Sequence, residues 1–254
     1  MLRRSAWLLT LLVSVAVLIT LATTQETKGG RYDQQIQEDI ERVLQSNPRF
    51  QNVHATTEDA VVTLSGTVKL FIDKLDADRR AHHIKHVGGV RNEIEVEGNV
   101  SDDVLLQKLA DKLRYDRVGF GIMFNNLKLS VKNGVVTISG DVHDYPSRDS
   151  ALAIIETEPG VKDVVNEINV LPVSTFDDEL RIRVARAIYG HPVLQKYAID
   201  PQSPIRIVVE NGHVRLEGVV DNQMDKQIAG VQASSVPGVF SVQNDLAVAN
   251  EKTK

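Results

Sequence analysis

The chain contains no cysteine among its 254 residues. That absence removes disulfides, thiolate nucleophiles, Cys-ligated zinc or iron–sulfur sites, and any lipid carried on an N-terminal cysteine. An excess of basic charge is also missing: 29 Lys and Arg face 34 Asp and Glu, for a net charge of −5. No bulk basic surface therefore advertises a nucleic-acid binder. Long hydrophobic runs are absent after residue 22, which excludes a polytopic helical membrane protein. What remains, 42% hydrophobic and 25% charged residues, is ordinary globular composition.

Catalytic motifs are missing as well. Ser65-Gly66 and Ser139-Gly140 lack the Gly-x-Ser-x-Gly frame of a nucleophile elbow. Gly119-Phe120-Gly121 is too short and isolated for a phosphate loop. His82 and His86 stand four apart, a spacing that could bind a metal on a helix, but no Glu follows the first and no third ligand is evident. A solvated helix face is the reading for that pair. No enzyme, no metal and no cofactor are expected.

The N-terminus reads as a targeting segment. Arg3 and Arg4 precede a charge-free run of 17 residues, Ala6 to Ala22, broken only by Thr10, Ser14 and Thr20. This is the pattern of an export signal over residues 1–28; the alternative is an uncleaved inner-membrane anchor formed by residues 6–22. Either places the rest of the chain outside the cytoplasm, and a periplasmic location is expected.

The remainder is a repeat. Val61-Val62-Thr63-Leu64-Ser65-Gly66-Thr67-Val68 recurs as Val135-Val136-Thr137-Ile138-Ser139-Gly140-Asp141-Val142 and as His213-Val214-Arg215-Leu216-Glu217-Gly218-Val219-Val220. A second block follows as Val90-Arg91-Asn92-Glu93-Ile94, Val164-Val165-Asn166-Glu167-Ile168 and Val242-Gln243-Asn244-Asp245-Leu246. From Gly66 to Asn92, Gly140 to Asn166 and Gly218 to Asn244 the distance is 26 residues each time, and Ala77, Ala151 and Ala229 lie 11 residues after the glycines. Identical internal spacing in three copies signals three homologous units: 33–98 (divergent), 99–173 and 174–249, with a tail at 250–254.

Each unit opens with a helix behind Asp33, Ser101 or Thr175 and carries an apolar stripe: Ile36, Ile40, Val43 and Leu44; Leu105, Leu109 and Leu113; Leu180, Val184, Ala187 and Ile188. A hairpin follows, turning at Asn133-Gly134 and Asn211-Gly212, and in the first unit at Glu58-Asp59. The marker glycine ends the second strand. A second helix then brings its alanine against the sheet, Pro159-Gly160 or Pro237-Gly238 stops it, and a last strand begins at Val161 or Val239. Lys85-His86 occupies that turn in the first unit, so a different turn is expected there. The fold class is α+β: three tandem αββαβ units, each two helices on one face of a three-stranded mixed sheet. One unit alone has a thin core, which favours packing between copies.

The Val-x-Leu/Ile-x-Gly strand, the helix with its alanine and the Gly-Val-x-x-Val-x-Asn-x-Ile/Leu block resemble the BON domain, the bacterial OsmY and nodulation domain. Gly140, Gly160, Val161 and Asn166, and Gly218, Gly238, Val239 and Asn244, match the pattern, while the first unit matches at Gly66, Val87 and Asn92 without the Pro-Gly turn. These are structural positions. The resemblance implies a non-enzymatic exported module that associates with phospholipid membranes or other envelope components, in osmotic or envelope-stress protection.

Each unit is itself acidic, −4 over 33–98, −3 over 99–173 and −2 over 174–248, so lipid binding needs local basic-aromatic patches. Two are present. One comprises Lys112, Arg114, Tyr115 and Arg117 leading into Phe120, Met123 and Phe124; the other comprises Arg181, Arg183, Arg186, Tyr189 and His191 leading to Lys196 and Tyr197. The alternative is that the arginines solvate a helix and the rings fill the core. Lys74, Arg148 and Lys226, each eight residues past a marker glycine, form either a repeated basic face or the polar side of the second helix. The expected partner is an anionic phospholipid surface. The rival is a protein–protein scaffold docking an envelope protein or further copies of the chain.

Overall fold

The computed structural model describes residues 30–116, 123–199 and 205–249. The apolar run 6–22 and the tail lie outside the described residues, as do Arg117, Gly119, Phe120 and Gly121. The first unit runs α1 (Asp33–Gln45), β1 (Val53–Glu58), β2 (Val61–Val68), α2 (Phe71–His82), β3 (Gly89–Asn92) and β4 (Glu95–Val96). The second runs α3 (Asp102–Arg114), β5 (Asn126–Lys132), β6 (Val135–Val142), α4 (Tyr145–Glu156) and β7 (Asp163–Val170). The third runs α5 (Thr175–Tyr189), α6 (Lys196–Ile199), β8 (Arg206–Glu210), β9 (His213–Glu217), β10 (Val219–Val220), α7 (Gln223–Ser234), β11 (Ser241–Asn244) and β12 (Ala247–Val248).

In every unit the middle strand is antiparallel to its hairpin partner and parallel to the strand that returns after the second helix. The helical stripes bury Ile36, Ile40 and Leu44, then Leu105, Leu109 and Leu113, then Leu180, Val184 and Ile188, the single apolar face that this spacing produces. Val43 and Ala187 sit at its margin, half-buried. Ala77, Ala151 and Ala229 are fully buried, and α2, α4 and α7 lie against the parallel strands of their sheets.

The marker glycine does not end the strand in the first two units. Gly66 and Gly140 lie within β2 and β6, paired with Val53 and Leu127, and the strand continues to Val68 and Val142. Their φ angles are +103° and +110°, and a Cβ on either would stand 2.0 Å from a carbonyl oxygen of the neighbouring chain segment, Asn52 or Asn126. The last strands begin at Asp163 and Ser241, two residues later than expected.

The hairpin turns are clamped from the first helix. Asp102 accepts the N–H groups of Asn133 (2.7 Å) and Gly134 (2.9 Å), and Asp177 those of Asn211 and Gly212 (2.9 Å each). Asp33 does the same for Asp59 and Ala60 at 2.8 Å. The first-unit turn is therefore Asp59-Ala60, both at positive φ, one residue later than the sequence suggested. Asp33 and Thr175 are not helix caps. Ser174 caps α5 by accepting from Asp177 N at 3.2 Å, whereas Ser101 stands at the cap position of α3 without a side-chain bond. Asp177→Ala would leave two turn N–H groups unpaired at a buried site. Loss of these charge-assisted bonds should lower stability by about 2–3 kcal/mol, read from the urea midpoint.

The motif asparagines tie the returning strand to the second helix. Asn92 and Asn244 donate to the carbonyls of Lys74 (3.0 Å) and Lys226 (2.7 Å) and accept from Ile94 N and Leu246 N, while Asn166 accepts from Ile168 N. The turn before this strand is alike in all three units: Gly160 at φ +100°, Gly238 at +95° and His86 at +72°. A non-glycine residue there is unusual; the His86 ring stacks on Tyr32, with centroids 3.8 Å apart. The different turn expected for the first unit is not formed.

The units pack together. The buried apolar residues of the first two belong to one continuous cluster. The third unit has its own, against which Met123 and Phe124 of the second unit pack. Ile207 N donates to Met123 O at 2.7 Å, and Arg215 pairs with Asp141 and Lys128 with Glu217 (3.5 Å) across the same junction. Edge strands β5 and β8 of the two sheets come close there.

Candidate functional site

The second-unit patch is dispersed by its partners. Lys112 pairs with the buried Glu158 at 2.5 Å, and Arg114 lies 3.5 Å from Asp111. Tyr115 is 71% exposed. Arg117 and Phe120 lie outside the described residues. Met123 and Phe124 face the third-unit core, as the core-filling alternative requires.

Much of the third-unit patch is structural. Arg181 is buried, paired with Asp178 and donating to Val209 O at 2.7 Å. Tyr189 donates to Ile205 O at 2.6 Å, and burial holds its phenol above the ordinary range against the opposing effect of Arg206. His191 Nδ1 accepts from Val193 N. Lys196 reaches Asp221 at 2.5 Å and the buried Asp225 at 2.7 Å, which raises its ammonium above the usual value. Tyr197, also buried, donates to Asp225 at 2.6 Å. The same latch occurs in the first unit, where Arg49 bonds the buried Asp73 and the half-buried Asp76 at 2.8 Å each.

Burial alone would raise the Asp225 carboxyl, but the bonds from Lys196 and Tyr197 more than reverse this and set it below the ordinary carboxylate value. The folded state therefore binds fewer protons at this site than the unfolded state. The stability conferred is complete above the unfolded pKa of about 3.9 and is lost as pH falls through the lower folded value. In acid titrations followed by circular dichroism, Asp225→Asn should flatten the loss of stability below about pH 4.

Two cations of this patch stay free. Arg183 and Arg186 on α5 have no acidic partner among the described residues, and the Arg183 Nε is buried without a hydrogen bond. Arg183 shares the Gly238 turn with a ring that sequence reasoning did not select, Phe176, 43% exposed, on which a second, Phe240, 70% exposed, stacks with centroids 6.3 Å apart. One signal could have found Phe176. It precedes the turn-clamping Asp177 as Tyr32 precedes Asp33, and each ring packs on the turn after the second helix.

Two other groupings weighed from the sequence, a repeated basic face and a histidine pair on one helix, are not formed. Arg148 is held by Asp149 and lies over the Tyr145 ring, so Lys74, Arg148 and Lys226 do not form a uniform free face. His82 is the last residue of α2 and bonds Asp78, while His86 lies beyond the helix on Tyr32. Among the described residues no three His, Asp or Glu are placed to hold a metal, and no helix is long and apolar enough to cross a membrane.

Three αββαβ units with a shared glycine–asparagine frame define a tandem-repeat α+β protein, and the chain belongs to the BON domain family, whose model matches residues 32–98, 101–172 and 177–250. It is 28% identical over 130 residues to the osmotically-inducible protein Y of Escherichia coli (strain K12). That match covers 48% of this chain and 63% of the relative, so less than two thirds of the relative's length is spanned. Two solved structures of CdsD, a structural protein of the type III secretion system of Chlamydia trachomatis, align with 83% of this chain and with 90% and 96% of theirs. Both are 18% identical, with TM-scores of 0.22 and 0.21.

Proposed function

We propose that this chain is a non-enzymatic, exported protein of the cell envelope that associates with phospholipid membrane surfaces and serves in osmotic or envelope-stress protection. The observation that carries the lipid reading is the pair of free arginines, Arg183 and Arg186, on α5. In a chain of net charge −5 most other patch cations are neutralised by nearby acids, whereas these two can meet an anionic headgroup layer. Each is worth about 1 kcal/mol near such a surface. Export is supported by Arg3, Arg4 and the apolar run behind them, and the stress role by the name of the Escherichia coli relative.

A second reading, a scaffold that docks an envelope protein or another copy of the chain, draws on β7. This strand lies at the edge of its sheet, eight residues long and with Val165 exposed, the kind of edge that accepts an added strand. Salt distinguishes the two. Binding to phosphatidylglycerol vesicles should weaken severalfold between about 0.05 and 0.5 M NaCl as the Debye length contracts, while strand addition to β7 should persist. Salt-independent association would favour the scaffold.

A further inference from the structure

We infer that the tip of the third unit, where Phe176 and Phe240 stack, is the part of the molecule that enters the lipid interface. This rests on the lipid reading above. Two turns meet at this tip, the Asn211-Gly212 hairpin and the Pro237-Gly238 turn. Each glycine has a ring against it. A Cβ at Gly212 would stand 2.6 Å from Phe240, and one at Gly238 would stand 3.4 Å from Phe176 and 3.5 Å from an Arg183 Nη. Arg183 and Phe176 therefore converge on Gly238, and no acid among the described residues lies within salt-bridge distance of the guanidinium.

The other units lack this pair. By repeat register the Phe240 position is Gly88 in the first unit and Lys162 in the second. In the first unit the single ring, Tyr32, is spent on His86. Phe240 does no comparable work within the fold: it is 70% exposed, with its open ring stacked on another exposed ring and set edge-on to His213 at 6.0 Å. Scattered exposed apolar residues need no explanation, but two adjoining rings beside an unpaired guanidinium form an amphipathic contact. Rings suit the acyl boundary, and the cation suits the phosphate above it. Charge complementarity thus favours an anionic lipid surface as the occupant over a neutral apolar protein face.

Residues 30–254 are the material for the test, because both apolar clusters and every described helix and strand lie within them. This segment also lacks Trp7, the chain's single tryptophan, so Phe240→Trp creates a unique reporter. On vesicles of phosphatidylglycerol and phosphatidylcholine its emission should shift to the blue, and Phe240→Ser should weaken binding about tenfold or more. Arg183→Gln should weaken binding to these vesicles and leave binding to pure phosphatidylcholine unchanged. Suppose the unsubstituted protein binds, Phe240→Ser binds equally well and the emission of the Phe240→Trp variant is unmoved. The tip is then not the contact, and the lipid reading survives without it. A blue shift that follows protein concentration rather than lipid would make the tip an interface between copies and overturn the inference. No binding by the unsubstituted protein would overturn the lipid reading and the inference together.

Discussion

Gly140→Ala is expected to destabilise the protein by on the order of 3 kcal/mol or more, the sum of a strained φ and a backbone collision. The φ of +110° is one that residues with a Cβ rarely adopt, and that Cβ would stand 2.0 Å from the Asn126 carbonyl oxygen. β5 would have to move off β6, breaking the register that pairs Leu127 with Gly140. Gly98 separates the two contributions. Its φ is +109°, yet nothing lies within 4 Å of its Cβ position. Gly98→Ala should therefore cost only the strain, about 1–2 kcal/mol. Equal shifts of the urea midpoint in the two variants would show that the approach of β5 to the glycine is not what requires it.

Reversing Arg183 and Arg186 to Glu should cut binding to anionic vesicles by about ten- to a thousandfold. Arg186 is exposed and has no acidic partner among the described residues, so its replacement should alter stability little. Arg183 is half-buried, and a thermal melt of the double variant controls for misfolding. The equivalent reversal at Arg114 and Arg117 should have the smaller effect, because Arg114 already faces Asp111. A folded Arg183/Arg186 variant that binds at full strength would remove α5 from the lipid contact.

The repeat spacing made the architecture legible. Glycine, alanine and asparagine recur at fixed intervals because each meets one geometric demand: a close strand approach at Gly66 and Gly140, a helix against the sheet at Ala151, a strand-to-helix tie at Asn92 and Asn244. The first unit's turns depart from expectation where a distant side chain supplies what local sequence lacks. Ala60 and His86 hold positive φ because Asp33 and Tyr32 support them from α1 and its entrance, and no local turn signal reports that. The candidate site was less legible for the same reason. Arg181, Lys196 and Arg183 look alike along the chain, and only the folded arrangement shows that Val209 O and Asp225 engage the first two while the third stays free. Phe176 and Phe240 are 64 residues apart in sequence and meet only at the tip.

Co-sedimentation of residues 30–254 with vesicles of phosphatidylglycerol and, in parallel, of phosphatidylcholine tests the central claim most directly. The account predicts that the protein pellets with the anionic vesicles at low salt and stays largely in solution with the zwitterionic ones. Failure to pellet with either, or equal pelleting with both, would contradict it.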